Sequence, residues 1–114
     1  MVRATAARVL VRLGGTYPTG FAEAAITSMC TQADYILDRL THNVTLSTSD
    51  NEVVEIAVDI VLNMMAEASW FQAGGFLSGR QKPDVVTPLI QECIARWMSR
   101  DYGPQAVDMM DTET

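Results

Sequence analysis

The stretch 50–73, DNEVVEIAVDIVLNMMAEASWFQA, most constrains what this chain can fold into. Val53, Ile56, Ala57, Ile60, Val61, Met64, Ala68 and Phe71 recur at three-four spacing, which predicts a helix with a buried stripe. Val54, Val58, Leu62 and Met65 then cover much of the remaining circumference, broken only by Glu52, Glu55, Asp59, Asn63 and Glu67. A helix apolar on several faces is either the centre of a bundle or part of a subunit interface. The rest of the chain has to supply the surfaces that meet it.

Three other segments carry the same period. Residues 3–13 place Ala6, Val9, Leu10 and Leu13 on one face before Gly14-Gly15 stops them. Residues 22–40 place Ile26, Met29, Cys30, Ala33, Ile36, Leu37 and Leu40 on one stripe, with Glu23, Thr27, Thr31, Asp34, Asp38 and Arg39 opposite. Residues 88–101 align Leu89, Ile90, Cys93, Ile94, Trp97 and Met98. Punctuation agrees with these limits. Ser49-Asp50-Asn51-Glu52 matches a capping box, in which serine and glutamate satisfy free backbone N–H groups reciprocally. Thr87-Pro88 is a capping threonine followed by proline at the first helical position. Gly74-Gly75 and Gly103-Pro104 close the third and fourth helices, and Tyr17-Pro18-Thr19-Gly20 is a turn by residue type. The polar, β-branched run 41–48 reads as a loop or short extended segment, and 76–86 as an exposed loop. The expectation is an all-α fold: one small bundle of about four helices over 1–104, with a short acidic C-terminal tail over 105–114.

Size and composition agree with a single globular domain. The chain has 114 residues, 48% of them apolar and 19% charged, which is too apolar for intrinsic disorder. Eight Lys and Arg against 14 Asp and Glu leave a net charge of −6, so the surface as a whole repels phosphate backbones. That charge is uneven. Residues 1–22 hold Arg3, Arg8 and Arg12 and no acid, whereas 101–114 hold Asp101, Asp108, Asp111 and Glu113 and no base. Two solvated termini would explain this, and so would two ends that interlock with copies of the chain or dock on a charged partner. Arginines interrupt every apolar run of the N-terminus, which therefore lacks the core of a signal peptide. No stretch approaches 18 uninterrupted apolar residues, so no membrane span is expected. Asn43-Val44-Thr45 matches a glycosylation acceptor without a secretion signal to give it meaning.

Residue chemistry points away from catalysis. His42 is the only histidine and lies in a loop, so neither a metal ligand set nor a catalytic triad can be assembled around it. No cofactor is expected either. Asp34 and Asp38 share a helix face, as do Glu55 and Asp59, and both pairs read as solvated polar faces. The glycine-rich run 74–80 lacks Gly-Lys-Ser/Thr and follows a helix, so it reads as a helix stop and loop, not a phosphate cradle. Trp70-Phe71 and Trp97 read as core or interface anchors. Cys30 and Cys93 sit in apolar helical patterns, where buried thiols are expected, although a disulfide between them stays open. Val107, Met109 and Met110 put apolar side chains into a polar tail: plain disorder is one reading, an anchor ordered on a partner the other.

This layout resembles the small head–tail connector (adaptor) proteins of tailed viruses. An arginine-bearing first helix ends in Arg12-Leu13-Gly14-Gly15, and a turn over 17–21 follows. A long second helix closes with Ala33-Asp34-Tyr35-Ile36-Leu37-Asp38-Arg39-Leu40, and a polar stretch leads into the apolar third helix with its glycine break. A late helix and a short tail complete the pattern, which covers most of 3–101. The chain departs from many such proteins in having no clear strand or hairpin outside 41–48. The resemblance implies a virion protein assembled in the host cytoplasm as a homo-oligomeric ring, commonly of twelve copies, beneath the portal protein. Such a ring extends the DNA channel and is a platform for the stopper or tail-completion protein, with no catalysis and no cofactor. DNA passes through without specific binding, which an acidic wall would favour. The family's C-terminal segment commonly grips the portal, which would give Val107, Met109 and Met110 a role. The competing reading is a small helical regulator that binds protein or nucleic acid through Arg8 and Arg12, which share a helix face.

Overall fold

The computed structural model describes residues 3–40 and 51–102. The described residues form five helices and no strand: α1 Ala6–Arg12, α2 Glu23–Leu40, α3 Asn51–Gln72, the single turn α4 Gly75–Ser78, and α5 Pro88–Tyr102. The all-α bundle expected from periodicity is therefore the fold. Each of the other helices packs on α3, and α2 makes the most extensive contact with it.

This arrangement answers the question posed by the apolar circumference of α3. Val53, Ile56, Ala57, Ile60 and Val61 are buried, and so are Val54, Val58 and Met65 on its second face. The helix is central within its own chain. Only its C-terminal end emerges, where Phe71, expected on the buried stripe, is exposed. The α2 stripe is buried as its period predicts, through Ile26, Cys30, Ala33, Leu37 and Leu40, with Met29 and Ile36 packed at its edge. Val9 fixes α1 to this core, and Val86, Ile90, Ile94 and Met98 fix α5.

Local chemistry sets the helix ends. Thr5 caps α1, its Oγ1 accepting from Arg8 N at 3.2 Å, so the helix begins at Ala6, three residues later than its apolar pattern suggests. Gly14 has φ 84°, a left-handed conformation that glycine adopts without strain, and Gly15 N–H donates to Leu10 O at 2.9 Å to satisfy a terminal carbonyl. Thr87 Oγ1 accepts from Ile90 N at 3.2 Å, the cap read from Thr87-Pro88. Ser49 and Asp50 of the capping box lie outside the described residues, as do His42, Gly103-Pro104 and the tail with Val107, Met109 and Met110.

Four expectations need correction. The run 76–86 is not one exposed loop, because it opens with α4, and its end turns inward: Val86 is buried, and Asn63 Nδ2 donates to Val85 O at 3.1 Å. A pair of valines is too short to show a period, so the sequence hid this. Leu89 is 66% exposed, because the first turn of α5 projects past the core that holds Ile90. Asp34 is buried and not on a solvated face. It lies four residues after Cys30 and three before Leu37, on the edge of the apolar stripe. Cys93 is only half-buried, and both thiols are free.

Candidate interaction surfaces

The first candidate surface is built on α1. Its seven residues are too few to be stable as an isolated helix, so its place is set by tertiary contacts. Two arginine forks supply them. Before the helix, buried Arg3 donates from Nη1 to Asp34 Oδ1 and from Nη2 to Asp38 Oδ1, the latter at 3.0 Å. At its end, Arg12 donates from Nη1 to Glu55 Oε2 at 2.6 Å and from Nη2 to Asp59 Oδ1 at 2.5 Å. Each fork straddles two carboxylates four residues apart on one helix, the spacing that puts them side by side. The hydrogen bond to Asp59, more than the charge of Glu55, raises the Arg12 pKa further above its usual value. Tyr17 adds a neutral tie, its hydroxyl donating to Ala6 O at 3.0 Å, and partial burial pushes that hydroxyl's pKa up.

Between Arg8 and Arg12 this leaves a shallow apolar cleft. Ala7 and Val11 form it with the stems of Arg8 and Arg12, and Glu55 closes one side, enclosing about 350 Å³. Val11 is 77% exposed. Arg8 Nη1 stands 3.6 Å from Glu55 Oε1 and is half-exposed, so its guanidinium keeps most of its donors for other acceptors. Of the residues singled out for partner binding, Arg8 and Arg12 are thus brought together on one surface. Val11 was not singled out. Its absence from the stripe Ala6, Val9, Leu10 and Leu13 was the available signal.

The second candidate is a groove between α2 and α3. Two cavities of about 450 and 560 Å³ share Gln32, Met64 and Glu67 and so run together. Ile36, Met29 and Val85 supply apolar lining, and Arg39, Lys82 and Asp84 add charges. Lys82 Nζ bonds Glu67 Oε2 at 2.9 Å and lies 5.9 Å from the Phe71 ring centroid, which ties the segment after α4 to the end of α3. Trp70 packs edge-on to Phe71 with ring centroids 4.8 Å apart, and donates from Nε1 to Arg80 O at 3.2 Å. Next to it Leu77 on α4 is 81% exposed.

Among the described residues no three His, Cys, Asp or Glu side chains are grouped to hold a metal ion, and no helix is long and apolar enough to cross a membrane. Comparison of the chain with protein-family models, with curated proteins and with solved structures gives no match.

Proposed function

We propose that this chain is a structural subunit of a homo-oligomeric assembly and, in its sharpest form, a head–tail connector that forms a ring beneath a viral portal. One observation carries the reading: large apolar side chains are exposed at two separate places. Val11 lies beside Glu55 near the start of α3, while Leu77 follows the end of α3. Seventeen residues of helix separate Glu55 from Gln72, about 25 Å at 1.5 Å per residue. Two unlike patches at opposite ends of one body suit a head-to-tail contact, which repeats around a ring when its rotation closes. In this reading the chain catalyses nothing, needs no cofactor, belongs to the virion, and has the portal and a stopper or tail-completion protein as further partners. An acidic ring would let DNA slide through its channel unbound.

Light scattering and native mass measurement test the reading directly. The purified protein, alone or mixed with a portal ring, should form closed rings, and Leu77→Asp should abolish them while leaving the helical circular dichroism intact. A wild-type chain that stays monomeric under both conditions overturns the ring. So does salt-sensitive DNA binding lost on Arg8→Ala and Arg12→Ala, which would favour the regulator. Support for that alternative is reduced by Glu55 and Asp59, which already engage Arg12.

A further inference from the structure

The α1 cleft has a definite chemistry: an apolar floor of Ala7 and Val11 flanked by the guanidiniums of Arg8 and Arg12. A ligand that fits it must place apolar side chains between two anionic groups. The chain contains such a segment. Asp108-Met109-Met110-Asp111 sets two long, adaptable thioethers between two carboxylates, with Val107 before them and Glu113 after. We propose that the acidic C-terminal segment 105–114 of one copy docks in the α1 cleft of the next, with Met109 and Met110 against Ala7 and Val11 and the two aspartates at Arg8 and Arg12.

Charge complementarity selects this occupant. No acid lies in 1–22 and no base in 101–114, so the two ends of the chain attract each other and each repels its own kind. The cleft can accept the added charge. An arginine carries five N–H donors, of which Arg12 spends two on Glu55 and Asp59, and Arg8 has only the 3.6 Å approach to Glu55. The bonds to Glu55 and Asp59 also hold the Arg12 fork in place beforehand, which lowers the ordering cost of binding. Length suffices as well. The twelve residues after Tyr102 span up to about 40 Å when extended, more than the roughly 33 Å length of α3. Docking between copies rests on the assembly reading above. It differs from the role that the connector resemblance gives the tail, because the partner is the neighbouring copy and not the portal.

A charge swap in the full-length protein tests it. Arg8→Glu and Asp111→Lys should each weaken self-association at least about tenfold in sedimentation, because like charges would face each other across the contact. Mixing the two variants should restore mixed assemblies, and the double variant should assemble by itself. A second readout is covalent: in a mixture of Val11→Cys and Met110→Cys proteins, oxidation should give a disulfide joining two different chains. Overturning results are equally clear. Rings that form unchanged in both single variants leave the assembly reading standing and remove this contact. Rescue in the double variant without rescue on mixing assigns the contact to a single chain and overturns docking between copies. A wild-type chain that never self-associates removes both proposals together.

Discussion

The two arginine forks look alike in sequence and differ in environment, and environment decides what each contributes. Arg3 and Asp34 are only 6% and 7% exposed, and Arg3 Nε is buried with no acceptor, whereas the Arg12, Glu55 and Asp59 side chains are each more than a third exposed. Removing one partner of a buried ion pair leaves a charge in a medium that cannot solvate it, while an exposed pair is screened by water. Arg3→Met should therefore cost about 3–5 kcal/mol in urea unfolding. Arg12→Met should cost about 1 kcal/mol or less. Equal losses would contradict this account of burial. Only part of this was legible. The two acid pairs and the three arginines are plain in the sequence, but which arginine meets which pair is a property of the fold. Cys30 gives the pH-dependent case. Burial raises its thiol above the ordinary 9.0, so the folded state favours the protonated form. That contribution is complete below the unfolded value and is lost as pH rises through the folded one. Unfolding free energy should thus fall as pH rises above 9, and less so in Cys30→Val. Half-buried Cys93 should react with a thiol reagent in the native protein, and Cys30 only after unfolding.

At the scale of elements, period and punctuation found the four long helices because each buries a continuous stripe or ends at a definite chemical signal. Thr87 shows how local such a signal is. Thr87→Ala should cost about 1 kcal/mol by freeing the Ile90 N–H, measurable in the same unfolding assay. The link from α3 to α5 was poorly legible for the opposite reason. Its structure depends on single contacts: Val85 O with Asn63, Arg80 O with Trp70, and Trp70 against Gly75. A Cβ at Gly75 would overlap the Trp70 indole, which is held by Phe71 on one side and by Arg80 O at Nε1. Gly75→Ala should therefore cost about 1–3 kcal/mol. It should also change the near-ultraviolet dichroism of tryptophan. No glycine-counting rule would have separated Gly75, needed for space, from the glycines that merely end helices.

For the whole molecule, α3 is the common neighbour of every other helix, so damage at its centre is not confined to one pair. Ile60, fully buried, is the test position. Ile60→Ala should cost about 2–5 kcal/mol and lower a single cooperative transition without splitting it. Dichroism and tryptophan fluorescence should report the same midpoint. The apolar excess of α3, which in sequence resembles an unfinished interface, is consumed inside the chain. What remains for partners is smaller and elsewhere, at Val11, Leu77 and Leu89. The Arg12 fork has one more consequence, in time as well as space. Arg12 and Asp59 are separated by 47 positions. During synthesis α1 leaves the ribosome well before either carboxylate that fastens its end, and seven residues cannot hold a helix while they wait. The basic segment is thus made early and finished late, and until Glu55 and Asp59 arrive its arginines are open to whatever acid is nearest.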